Sequence, residues 1–310
     1  RGAIYGLLAA AIWGGMYVVS DVVLKVIPPF TLLTIRLILG AVVLLVIRWR
    51  TANVPWPNRR EVLRLVAVGF VGFGVSVGAQ FVGTDLSTAI NGALVTSASP
   101  AFILIFAALI LHERLTMQRI AAVGLATVGV LLIIDLSQAD FGSDTFVGNL
   151  VLALAALTWG LYSVLVRKVS IPSDGGEPQT DTLTVTLVAF MGGLLLTIPS
   201  ALLELPKRPI DDIDAGVVLG VLYLGVVSTA GAMWLWNRSF ALVDASVASL
   251  FFFAQPLVGA VLSVALLGQQ MTLNLWLGGL LIGGAVLLSL YPLERLRARR
   301  LARHDAGDMA

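Results

Sequence analysis

Apolar stretches long enough to cross a bilayer follow one another along almost the whole chain. They lie near residues 3–24, 30–48, 62–83, 87–111, 117–135, 147–168, 181–203, 215–238, 245–268 and 273–291. A hydrocarbon core of about 30 Å is crossed by about 20 helical residues. Inside lipid each backbone N–H and C=O must be satisfied without water, which leaves helices or closed barrels. Continuous apolar runs of this length select helices, so the expected fold class is an all-α integral membrane protein with ten transmembrane helices. The composition agrees: 12% of the residues are charged, against about a quarter in soluble domains.

The connections near 49–61, 169–180 and 204–214 are too short to build a core of their own. Cysteine is absent and His112 and His304 are the only histidines, so no disulfide framework, thiol nucleophile, metal cluster or cofactor is expected. The first apolar run is long enough to remain an anchor rather than a cleaved leader. The net charge of +2 does not point to nucleic acid, because its distribution is that of a membrane protein. With the N-terminus inside and the spans alternating, the inner side receives Arg48, Arg50, Arg59, Arg60, Arg64, Arg114, Arg119, Arg167, Lys168 and Arg238. It also receives the arginines of a tail over 293–310, whereas Lys25, Lys207 and Arg208 fall outside. Basic residues mark cytoplasmic loops, so both termini are expected in the cytoplasm of a multi-pass protein of a bacterial inner membrane. The tail arginines suit contact with anionic headgroups.

The chain repeats itself. With Pro100 on Pro256, an offset of 156 residues, Leu86, Ala89, Leu94, Leu111, Thr116, Val130, Leu131 and Leu132 meet Leu242, Ala245, Leu250, Leu267, Thr272, Val286, Leu287 and Leu288. Nearer the N-terminus the offset is 146, and Trp13-Gly14 meets Trp159-Gly160. The expected units are therefore 1–140 and 141–292, followed by the tail. Each holds five spans, an odd number, so the second copy stands inverted relative to the first. Inverted repeats are a signature of secondary transporters, because exchanging the conformations of two such halves turns an inward-open state into an outward-open one.

Several residues carry a family resemblance: Trp13-Gly14, Arg36, the turn Leu111-His112-Glu113-Arg114-Leu115-Thr116, and Gly124 with Gly129. Together they resemble the EamA-type members of the drug/metabolite transporter superfamily, over essentially the whole chain, with the aromatic-amino-acid exporters of the YddG type as the nearest fit. The resemblance implies helices one to four and six to nine around a central cavity, helices five and ten flanking it, and export of small metabolites. Gln269 stands where the first half has Glu113, which argues against a coupling role for that carboxylate.

Candidate solute-binding residues follow from depth and chemistry. Trp13 and Trp159 lie about 15 Å into their spans, near the midplane, away from the interfaces tryptophan favours. Tyr17 and Tyr162 lie one turn and three residues further on, and a phenol in hydrocarbon needs a partner. Gly69, Gly72, Ser76, Gln80 and Gly83 form a small and polar stripe, answered by Gly225, Ser228, Ala232 and Trp236 in the second half. Close helix packing explains such a stripe, and so does a wet cavity lined by Ser76 and Gln80. Trp49, Trp56, Trp234 and Trp236 suit the inner belt. Pro100 and Pro256 fall near mid-span and kink their helices, freeing the carbonyls of Thr96 and Phe252; Ser99 and Gln255 precede them as candidates for a solute's polar end or for interhelical glue. Arg36, the one cation expected within a span, could snorkel, pair with Asp21 or Asp85 as a mouth ion pair, or attract a carboxylate.

No carboxylate is expected at mid-depth, as proton coupling usually requires, and no phosphate-binding Gly-x-x-x-x-Gly-Lys loop is present. The reading that fits is export of neutral or zwitterionic solutes, aromatic or apolar amino acids foremost, by alternating access and facilitated diffusion. The alternative is a proton-coupled exporter of cationic or multidrug substrates. An intramembrane enzyme lacks a nucleophile–base pair at depth, and a receptor leaves the repeat unexplained. The expected partners are a small-molecule substrate and the bilayer, with no nucleic acid, in a monomer or weak homodimer.

Overall fold

The computed structural model describes residues 1–51, 55–87, 89–134, 139–171, 180–267 and 272–290. The expected tail, Asp135 and the turn at Gln269 lie outside these residues, as do the side chains of Tyr17 and Asp21. Among the described residues the chain is helical, without strands. In order the α-helices are α1 (Gly2–Val23), α2 (Pro29–Thr51), α3 (Arg59–Gly69), α4 (Val77–Asp85), α5 (Ala89–Thr96), α6 (Ser99–Leu111), α7 (Met117–Ile133), α8 (Phe146–Ser170), α9 (Thr182–Glu204), α10 (Ala215–Leu222), α11 (Ala232–Leu242), α12 (Ala245–Ala248), α13 (Ala254–Leu267) and α14 (Leu273–Leu290). Among the described residues six rods are long and apolar enough to cross a membrane: Pro29–Thr51, Arg59–Asp85, Asn91–Leu111, Phe146–Ser170, Thr182–Glu204 and Ala215–Leu242. Gly2–Met16, Met117–Ile133, Ala245–Gly259 and Leu273–Ser289 are shorter apolar helices. The apolar segments are where hydropathy puts them, but they are unequal in length and several are broken inside.

The breaks recur in both halves. A π-helical segment, Phe70–Ser76, joins α3 to α4, and another, Tyr223–Gly231, joins α10 to α11. The 156-residue offset makes these two segments overlap. The rod holding Pro100 is interrupted between Thr96 and Ser99, and that holding Pro256 opens through a 3₁₀ segment, Ser249–Phe253. Pro100 stands in the first turn of α6, where a missing N–H is harmless. Packing repeats too. α1 lies against α11 and α13, as α8 lies against α4 and α6; α2 packs on the second π segment, as α9 packs on the first. α2 with α9, and α7 with α14, pair across the two halves. Gly129 and Gly278 let α7 and α14 touch, since a Cβ on Gly278 would come within 2.5 Å of the Gly129 carbonyl. Gly283 faces open space.

The rods alternate end for end. At one end Gly2 meets Val243, and Arg48 at the close of α2 pairs with Asp181 at the start of α9 at 2.9 Å. At the other, Asp211 N–H bonds the Val26 carbonyl and Glu204 accepts from the N–H groups of Phe30 and Thr31. Side-chain caps explain where helices start: Asn58, Thr116, Asp181 and Asp214 each accept from N–H groups of the first turn. A cap contributes about 1 kcal/mol.

Candidate functional site

Three tryptophans from both halves meet at the centre. Trp13 of α1 and Trp159 of α8 lie 5.9 Å apart edge to face, and Trp236 of α11 lies 5.3 Å from Trp13 and 6.4 Å from Trp159, stacked on the latter at 28°. Phe252 closes the group on Trp13 and Trp236. The rings are 3%, 8% and 0% exposed in chain order, so the expected hollow is here filled by aromatic side chains. Each such pair adds about 0.5–1.5 kcal/mol beyond area burial. Trp236 is therefore not a belt residue. The signal was in the repeat: Trp236 is the counterpart of Gln80, and the face assigned to one belongs to the other. Trp49 and Trp56 are exposed, as belt residues are, and Trp56 lies under the Arg48 guanidinium at 4.3 Å.

The second π segment holds this centre in place. Trp13 donates its indole N–H to the Ser228 carbonyl at 3.1 Å. Thr229 donates its hydroxyl to the Leu224 carbonyl, five residues back, and accepts from Arg36 Nε at 3.1 Å. Widened turns of this kind cluster at functional sites. Arg36 is 7% exposed and also reaches Met16 Sδ, so it braces α2 on α1 and the π segment rather than snorkelling outward. Asp85 stands at 3.9 Å from Arg208 on the exposed surface, so its cation comes from the loop after α9. The expected pair with Asp21 falls on a side chain outside the described residues.

Other sequence candidates separate on contact. Tyr162 is wholly buried; its hydroxyl donates to Asn237, whose amide donates to Thr186. Its ring packs on Phe73 and Trp159 and against Gly72. Ser76 donates to the Ala155 carbonyl at 2.8 Å. Ser99 donates to the Thr96 carbonyl at 2.7 Å, satisfying the acceptor that Pro100 leaves free. Neither hydroxyl proton remains for a solute, because in hydrocarbon the nearest open carbonyl claims it first. Gln80 is half-buried and Gln255 is buried with its backbone against Gly14. The stripe itself divides: Gly69 abuts Ala189 of α9, whereas Gly72, Ser76 and Gly83 face α8. The π segment between them changes the register that a 3.6-residue period assumes.

A second cluster seals the end where the arginines gather. His112, with φ 55°, ends α6 in the left-handed region, and the reversal brings Glu113 onto the start of α12. There Glu113 accepts from the N–H groups of Ala245 and Ser246 and from the Ser246 hydroxyl. It pairs with Arg167 at 3.1 Å and Arg119 at 3.5 Å, and both arginines reach Asp244. Arg167 also donates to the Phe240 and Val243 carbonyls. Above this knot Phe240, Phe251 and Ser239 are fully buried. Glu113 is a structural hub rather than a lone loop charge. Arg48 was expected at the inner end of its span; it lies within α2 at 4% exposure, bonded to Asp181 and Thr184.

An apolar pocket of about 280 Å³ lies between α2 and α9, lined by residues such as Ile38, Val42, Met191 and Leu194. It suits hydrocarbon rather than a polar solute.

A bundle of apolar rods built from two like halves around an aromatic centre, closed by ions at one end, is the architecture of a membrane transporter. The chain belongs to the EamA-like transporter family, whose model matches residues 1–135 and again 146–291. It is similar to a probable amino-acid metabolite efflux pump of Salmonella typhimurium, with 26% identity over 96% of either chain. It is also similar to the uncharacterized inner membrane transporter YicL of the same organism, 27% identical over 96% of this chain and 98% of the relative. An uncharacterized transporter of Archaeoglobus fulgidus is 23% identical over 91% and 94%. A solved crystal structure shares the fold at a TM-score of 0.79 and 21% identity, covering 97% of this chain and 98% of the other. These relatives are named as transporters, and the chain is a multi-pass membrane protein of that family.

Proposed function

We propose that this protein exports small neutral or zwitterionic metabolites, aromatic or apolar amino acids foremost, by alternating access and facilitated diffusion. The observation that carries the reading is the tryptophan centre, assembled from corresponding helices of the two halves and closed toward the basic end by the Glu113 cluster. Aromatic faces stack an apolar side chain, and buried indole and amide groups answer its polar end. In this reading all ten apolar helices cross the inner membrane, units 1–140 and 141–292 stand inverted, and both termini lie in the cytoplasm. The cluster is the inner gate, and the rings part when a solute enters. The relative described as a probable amino-acid metabolite efflux pump and the YddG-type resemblance favour amino acids over cationic drugs.

Reconstituted vesicles loaded with labelled phenylalanine or threonine should release it faster than empty-vesicle controls, with no dependence on an imposed pH gradient. Flux of a dication without amino-acid flux, or accumulation driven by protons, would replace this reading with the cation-exporter alternative. Trp13→Ala and Trp159→Ala should lower flux well below any loss of expression; equal losses would reduce both rings to packing.

A further inference from the structure

The three central tryptophans differ in what their N–H groups do. Trp13 donates to the Ser228 carbonyl. Trp159 and Trp236 are buried with Nε1 unanswered, and their rings stack on each other. Indole is a donor only, and a buried donor without an acceptor is destabilising. Their ring neighbours do not answer them: Phe240 and Phe252 offer carbon, and the Tyr162 oxygen, whose proton goes to Asn237, accepts from neither indole. The hydroxyl of Ser228, beside Trp13, is likewise buried without a partner.

We infer that Trp159 and Trp236 read the carboxylate of the transported solute. The inference rests on the transport reading and deepens it: it brings Trp236 into the site and says which end of the solute is recognised. Two buried donors bonded to no acceptor of the protein match a group that only accepts. A carboxylate presents two oxygens to N–H donors, and charge-assisted bonds to it are the stronger kind. An ammonium would set donors against donors. Both indoles belong to the second half, on α8 and α11, so both bonds move with that half.

The test uses the wild-type protein in vesicles, with labelled phenylalanine flux competed by 3-phenylpropionate, which keeps the carboxylate, and by phenethylamine, which lacks it. The acid should compete about tenfold or more better than the amine, the scale of one charged hydrogen bond. Trp159→Phe and Trp236→Phe should each raise the KM for phenylalanine about tenfold and narrow the difference between the two competitors. Trp13→Phe should lower the rate yet keep that difference, because its N–H is bound within the protein. Equal competition by acid and amine in the wild type overturns the inference, as does unchanged discrimination in both Phe variants; water is then the partner of these donors. Absence of any amino-acid flux fails the parent reading instead.

Discussion

The two ends of α8 are held by different chemistry. At its start Asn149 belongs to a neutral knot: it accepts from Ser87 at 2.8 Å and Asn91 at 2.9 Å, and donates to the Asp140 carbonyl at 3.1 Å. Asn91 in turn accepts from Asp140 N–H. At its close Arg167 sits among Glu113, Asp244 and Arg119. Between them the helix carries Trp159 and Tyr162. Exchanging a neutral hydrogen bond for water is nearly even, whereas separating half-buried ions leaves each without its partner until water arrives. The contrast teaches that the two ends cost different amounts to open. In this structure the basic end is the one held together by ions.

This comparison can be broken at its strong side first. Glu113→Ala leaves Arg167 and Arg119 with Asp244 as their one carboxylate and uncaps α12, so a loss of about 3 kcal/mol is expected. Because the chain lacks cysteine, a single Ser239→Cys reporter above the cluster is unambiguous; its maleimide labelling should rise at least tenfold in the Glu113→Ala background. Unchanged labelling would mean the cluster holds loops but no gate. Next comes Asn91→Ala in the neutral knot, expected to destabilise by about 1–2 kcal/mol and to leave Ser239→Cys labelling as it was. A thermal unfolding series with the same reporter checks both halves of that statement. Smallest is Arg208→Ala, which removes the exposed pair with Asp85 and should change stability by less than about 0.5 kcal/mol. A larger shift would show that surface charge at the neutral end matters after all.

Much of the bundle was legible because lipid imposes a simple rule on the backbone. The positions of the apolar rods, the matching halves, and the correspondence of Trp13 with Trp159 all follow from hydropathy and self-comparison. The site was legible only in part. Ser76 and Ser99 have the chemistry of a wet wall, but which carbonyl takes their protons depends on a neighbouring rod. Trp236 looked interfacial by distance along the chain, and its true depth depends on the π segment that precedes it. Arg48 looked like a solvated cation at the inner end of its span until Asp181 and Thr184, more than a hundred residues away, were brought beside it.

Local composition and periodicity thus decided that this chain lives in a membrane, as helices, in two related halves. They could do so because burial in lipid acts on each segment separately. Tertiary structure decided which indoles meet, which hydroxyls are already bonded, and that Glu113, Arg119, Arg167 and Asp244 form one knot. Those outcomes depend on the register and crossing of distant rods, a relation between segments that no single stretch of sequence contains.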